Sequence, residues 1–182
     1  MKNDLERERK KGLSIWYLKD VLFHRKRIGS RHHTPGFGLA AQLFSVMCKH
    51  ILKAMGPEKG EELIKNAVEE FGLERGRRIA GVVKGLGKPL SFKNWLIYTD
   101  VDGGNFPAKV SIEDGSLVAC VGNCSFDKAA KDWGLEECAR HYCTHVDFAI
   151  LKGYNPDIRL DLDQRWRTGE NYCRFKYGIR EK

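Results

Sequence analysis

The hydrophobic period changes once along this chain, and that change constrains the fold more than any other feature. Over roughly the first hundred residues, apolar side chains recur at helical spacing; from Val110 onward they alternate. Ile15, Leu18, Val21 and Leu22 make one helical stripe, and Leu39, Leu43, Val46, Met47, Ile51 and Leu52 make a stronger one. Gly56-Pro57 stops that helix and starts another, since proline suits a first helical turn. Leu63, Ile64, Ala67, Val68 and Phe71 are its expected buried face. A further helix runs through Ile79 and Val83 to Gly85-Leu86-Gly87, and Ser91 N-caps a short segment holding Phe92, Trp95 and Leu96.

Beyond that point Val110 and Ile112 alternate with polar neighbours, Asp114-Gly115 supplies a tight turn, and residues 117–121 return. Two helical segments follow. Ile158, Leu160 and Leu162 then alternate with Arg159, Asp161 and Asp163. After a turn at Thr168-Gly169, Cys173, Phe175 and Tyr177 alternate with Arg174 and Lys176. Two hairpins separated by helices predict an α+β fold: N-terminal helices, then a mainly antiparallel sheet packed against helices.

At 182 residues the chain suits one well-buried core, so a single domain over 1–182 is expected, with residues 1–35 as a basic helical extension. No run of about 18 apolar residues is present, which predicts no transmembrane helix. The opening residues are charged in both signs and lack an apolar signal core, so a cytoplasmic protein with reduced cysteines is expected. Much of the formal charge of +8 comes from Lys19, Arg25, Lys26, Arg27 and Arg31. No zinc-finger spacing or aromatic RNA-binding motif accompanies them, and they are read as a solvated face rather than a specific nucleic-acid site. Self-association is left open.

Several motifs fail on context. Gly36-Phe-Gly-Leu-Ala-Ala41 fits a dinucleotide fingerprint but has no strand before it. The stretch from Gly81 to Lys88 is one residue too long for a phosphate-binding loop, and Pro89 replaces the hydroxyl that would hold magnesium. The Cys120-x3-Cys124 and Cys138-x4-Cys143 spacings lack the paired knuckles of structural zinc sites. His141 and His145 are one turn apart, but at about 100° per residue His145 points some 160° from Asp147. No metal and no cofactor are expected.

What remains is a set of thiols. Cys124 ends an apolar strand and opens a short helix, where backbone N–H groups and the helix dipole are expected to lower its pKa. Cys143 lies on the margin of the stripe Leu135, Ala139, Tyr142, Val146, Ala149 and Ile150; Asp147 lies one turn on and slightly further out, with Arg140. Cys173 faces inward with Phe175 and Tyr177, which core packing alone explains, and Cys48, Cys120 and Cys138 read as core. Cys124, Cys143 and Asp147 are expected to meet in one partly open pocket.

In order and spacing, this part of the chain resembles the L-2-amino-thiazoline-4-carboxylic acid hydrolase family. The pattern takes in Glu74-Arg-Gly-Arg-Arg-Ile-Ala80, Trp95-Leu-Ile-Tyr98, Asn123-Cys124, Trp133-Gly-Leu-Glu136, Tyr142-Cys143-x3-Asp147, Gly153-Tyr-Asn-Pro156 and Gly169-Glu-x2-Cys173-Arg-Phe175. It spans residues 70–178. Ser125 follows Cys124 where the family would have proline, and Glu170 stands where aspartate is expected. The resemblance implies a small-molecule substrate bearing a carboxylate: a cyclic amidine whose ring water opens to a carbamoyl-cysteine. Such chemistry needs a nucleophile, a base and a cation for the carboxylate. Cys124 or Cys143 is the expected nucleophile, Asp147 the base or amidinium partner, and Arg77, Arg78 or Arg140 the carboxylate's partner. The alternative on the same scaffold is a non-catalytic small-molecule-binding or sensor domain, in which the thiols only line a cavity.

Overall fold

The computed structural model describes residues 36–179, so the stripe at Ile15–Leu22 and the basic segment ending at Arg31 lie outside the described residues. The first element, α1 (Gly36–Met55), buries a face that its large residues do not define. Gly38, Ala41, Gln42, Ser45 and Cys48 point inward, while Leu39, Leu43 and Met47 are 56%, 64% and 55% exposed. Small residues win because the neighbouring helix comes close: Ala41 packs with Ala129 and Ala130, and Gln42 Nε2 donates to the Ala129 carbonyl at 3.2 Å. Of the expected stripe, Ile51 and Leu52 pack against the core, while Leu39, Leu43 and Met47 face outward.

Gly56, at φ 79°, makes the turn, and Pro57 opens α2 (Pro57–Gly85), one 29-residue helix where two were expected. Two glycines inside this helix are contact points. A Cβ on Gly72 would lie 2.6 Å from that of Ala149, and one on Gly76 would lie 2.7 Å from the Tyr154 nitrogen. Helix propensity lost at glycine, about 1 kcal/mol each, is offset by the close approach of a second helix. Ile64, Val68, Ile79 and Val83 form the buried stripe, whereas Leu63 and Phe71 are largely exposed.

Ser91 caps α3 (Phe92–Ile97) as expected, its hydroxyl accepting from the Asn94 N–H at 3.3 Å. The sheet begins with β1 (Ala108–Glu113) and β2 (Ser116–Val121), joined at Asp114-Gly115, both at positive φ. After α4 (Ser125–Asp132) and α5 (Glu136–Tyr154) come β3 (Ile158–Asp163), the single-turn α6 (Arg165–Thr168) and β4 (Cys173–Ile179). The four strands are antiparallel in the order β1-β2-β4-β3, confirming the α+β class. Register places Ile112, Leu117, Tyr177 and Leu160 in one row, and Val110, Ala119, Phe175 and Leu162 in the next. The β3–β4 end of that face joins a core with Ile64, Val68, Val83, Val146, Ile150 and Tyr154. Each fully buried apolar side chain there contributes about 1.5–3 kcal/mol.

Candidate functional site

Strand β2 ends at Val121, and beyond a short turn Cys124 is the N-cap of α4, with φ −121° and ψ 122°. The Cys124 carbonyl accepts the Lys128 N–H at 3.0 Å, so the helix starts where the sequence placed it. The expected thiolate does not follow. Burial raises the Cys124 pKa, and the N–H groups of Asp127 and Phe126 and the charge of Arg165 only partly oppose it. A helix N-terminus favours charge, but taking the sulfur out of water costs more here than the dipole returns.

Cys124, Tyr142 and Cys143 pack against the same small cluster, built on Ala41, Phe126, Ala129, Ala130 and Ala139. The Tyr142 ring stacks on Phe126 at 4.5 Å and meets Phe44 edge-on at 5.5 Å, which fixes the turn of α5 that carries Cys143. Burial pushes the Cys143 thiol well up, and Cys124, Asp147 and Cys173 add to the effect in that order. The structure thus gathers three thiols and one carboxylate, and Cys173, for which core packing alone was expected, is among them.

Asp147 sits deeper than expected. Burial lifts its carboxyl to about 6 against the pull of Arg75. Burial also pushes the Tyr142 phenol up to about 12 and raises Tyr177, where Asp147 contributes as well. Although protein closely surrounds Asp147 and Cys143, both keep accessible surface, as do Cys173, Phe175 and Tyr177 across from them. Cys143 and Asp147 on α5 and Cys173, Phe175 and Tyr177 on β4 are thus each half-buried. Among the described residues, no side chain donates a hydrogen bond to Asp147.

The cation facing Asp147 is Arg75, which none of the sequence motifs singled out as a site residue. Its Nε and Nη2 grip Asp100 at 2.9 and 2.7 Å, and Nη1 reaches the Tyr142 hydroxyl at 3.3 Å. Burial alone would lower its pKa; the Asp100 hydrogen bond, with Tyr142, Asp100 and Asp147 nearby, raises it. A signal was available: Arg75 falls on the stripe Ile64, Val68, Ile79, Val83, where a charged residue needs a buried partner. None of the three expected arginines is seen to face Asp147. Arg77 is exposed, Arg78 pairs with Glu74 at 2.8 Å on the helix surface, and Arg140 pairs with Glu137 and lies over Trp166. Their assignment to the substrate carboxylate gains no support from this placement.

Two surface cavities, of about 300 and 390 Å³, lie along another flank of α5 and share Phe148 and Lys152. Neither is lined by Cys124, Cys143 or Asp147, so the partly open pocket expected around the thiols is not one of these two. His145 borders the first and approaches Glu69 at 3.8 Å, with its pKa lowered by burial. Among the described residues no cluster of three His, Cys, Asp or Glu side chains is arranged to hold a metal ion, and no helix is long and apolar enough to cross a membrane.

The family model for L-2-amino-thiazoline-4-carboxylic acid hydrolase matches residues 36–177, from the first turn of α1 to the last strand. The chain belongs to this family. The match to the L-2-amino-thiazoline-4-carboxylic acid hydrolase family extends beyond the 70–178 stretch that carried the resemblance and takes in α1 and all of α2. No curated protein matches the chain. Among solved structures, a crystal structure of a trafficking protein particle complex subunit 3 from Naegleria fowleri, covalently bound to palmitic acid, aligns at 12% identity. The alignment covers 80% of this chain and 95% of that one, with a TM-score of 0.49.

Proposed function

We propose that this protein opens the ring of a 2-aminothiazoline carboxylate or a close cyclic amidine by hydrolysis, using the site that holds Cys143 and Asp147. The observation that carries the reading, beside family membership, is the charge of the site. Arg75 and Asp100 neutralise each other in a bidentate pair, which leaves the Asp147 carboxylate in poorly hydrated surroundings without a matching cation among the described residues. A protonated cyclic amidine is planar, cationic and small, and it supplies that charge.

In this reading Asp147 holds the amidinium and takes the proton from Cys143, one helical turn away. The Cys143 sulfur bonds to the amidine carbon, the ring carbon–sulfur bond breaks, and the departing sulfur takes a proton from Cys124. Water then attacks the same carbon, giving one proton to Cys124 and the other to solvent, while Cys143 leaves and takes its proton back from Asp147, and a carbamoyl-cysteine departs. Neutral thiols at rest fit this scheme, because the cationic substrate itself makes ionisation of Cys143 easier when it binds.

The test is to incubate the purified chain with 2-aminothiazoline-4-carboxylate and to follow release of a new thiol together with the carbamoyl product. Cys143→Ala is expected to abolish turnover while melting as the parent does, and Cys124→Ala to slow it about a hundredfold, within the usual contribution of a general acid. Undiminished turnover in both variants would exclude a thiol mechanism. Tight binding of the amidine without turnover would favour the binding-domain alternative, which the raised pKa values of both thiols also fit.

A further inference from the structure

The two residues that open the β3–β4 connection, Gln164 and Arg165, reach to both thiol-bearing elements at once. Gln164 is buried, and its Nε2 donates to the Cys143 carbonyl at 2.9 Å. That carbonyl already serves the ladder of α5, so the amide occupies its second lone pair. Arg165 turns the other way. Its Nη2 donates to the carbonyls of Val121 and Gly122, both at 2.9 Å, and its Nη1 lies 3.4 Å from Asp127. Those three residues bracket Cys124: the end of β2, the connecting turn and the first turn of α4.

We propose that Gln164 and Arg165 form a clamp of positioning residues, which fixes the Cys124 turn against the Cys143 turn and so sets the spacing of the two thiols. The inference rests on the hydrolase reading of the same site. Adjacent residues cannot move independently, so a shift of either thiol-bearing element passes through this dipeptide to the other. The short helix α6 stiffens the pair, since the Gln164 carbonyl accepts from Arg167 at 2.8 Å and from Thr168 at 3.1 Å. Arg165 also keeps its Nε–H buried without a partner. An orphaned donor lowers stability, so hold on the two carbonyls is kept at the expense of the side chain's own hydrogen bonding.

The clamp has an electrostatic side that a purely structural tie would lack. The charged and titratable groups facing Cys124 are Asp127 from its own helix, Arg165 from α6 and Cys143 from α5, and of these only Arg165 favours the thiolate. The test uses the full chain and iodoacetamide, with each cysteine followed by peptide mass across the neutral to alkaline range. Arg165→Met is expected to move the Cys124 profile to higher pH and to slow its alkylation about threefold at neutral pH, leaving Cys138 unchanged. Arg165→Lys is expected to restore that profile. Gln164→Met is expected to raise the Cys143 rate about threefold without moving the Cys124 midpoint. If Arg165→Met does not fold, Arg165→Lys decides: a normal melt with a displaced Cys124 profile overturns the proposal. Superimposed profiles for Arg165→Met and the parent, or an unchanged Cys143 rate in Gln164→Met, overturn it equally. None of these readings depends on turnover, so an inactive parent chain would refute the proposed function alone.

Discussion

Substituting alanine at two glycines of one helix is expected to change stability in opposite directions. A Cβ at Gly76 would meet the Ile150 carbonyl oxygen, the Tyr154 nitrogen at 2.7 Å and the Gly153 carbonyl carbon at 2.9 Å. All three are backbone atoms of α5 and cannot rotate away. To reach ordinary contact, α2 and α5 must separate by on the order of 1 Å along a seam that includes Ile79, Val146, Ile150 and Tyr154. Overpacking of this kind costs about 3 kcal/mol, the upper part of its usual range, because no side chain can absorb the clash. The gain in helix propensity returns about 1 kcal/mol. The net loss is about 2 kcal/mol, or about 4–8 °C in Tm for a chain of this size.

Gly81 lies five residues further along, exposed, with nothing within 4 Å of the place a Cβ would take. There only the propensity term acts, and Gly81→Ala is expected to stabilise by about 1 kcal/mol. Urea denaturation of the two variants beside the parent, with unchanged m-values, measures the difference at about 3 kcal/mol. The consequence reaches the site, because Arg75 adjoins Gly76 and must cross the same seam to Tyr142. Equal or greater stability in Gly76→Ala would refute the close approach of the two helices.

Three further outcomes follow from the site. The Asp147 carboxyl titrates at about 6 in the folded chain, above the ordinary 3.8, so the folded state binds its proton more tightly and stability falls as pH rises through that window. Asp147→Asn is therefore expected to be more stable than the parent above about pH 6, by on the order of 3 kcal/mol, and a melt series against pH checks it. Arg75→Met removes a cation that opposes this shift and is expected to carry the pH dependence upward, read in the same melts, while turnover falls. In the native chain Cys143 is expected to react with iodoacetamide at neutral pH far more slowly than in the urea-unfolded chain; equal rates would contradict its burial.

How far the sequence reveals this structure depends on which partner each residue needs. The sheet was legible because alternation and the Asp114-Gly115 turn are local: Val110, Ile112, Leu117, Phe175 and Tyr177 share the face their period assigns. The Ser91 and Cys124 positions were legible for the same reason, since an N-cap is read from its own helix. The inward face of α1 was not, because size ranks Leu39 and Leu43 above Ala41 and Ser45 until α4 is known to lie against them. Likewise Gly72 and Gly76 carry no local signal of their role until α5 supplies the backbone that only glycine can approach. For Cys124 the helix dipole could be foreseen but the loss of water could not, because burial is a property of what covers the sulfur.

The site's charge balance ties these points together. Fold stability gives no reason to keep Asp147 where it is: a carboxylate raised to about 6 by burial works against folding at neutral pH, and an amide of the same shape would not. Nor does Arg75 resolve it, since its Nε and Nη2 are spent on Asp100 and its Nη1 on Tyr142. A group whose cost falls on the free protein, and is relieved only when a cation enters, contributes to binding rather than to the core. In the proposed mechanism, its place one turn from Cys143 would bring that cation to a thiol that burial keeps protonated. Binding and activation then become a single event, and Asp147→Asn should weaken amidine binding and slow turnover together. A variant that bound the amidine as tightly as the parent would break this link and return Asp147 to a role in proton transfer alone.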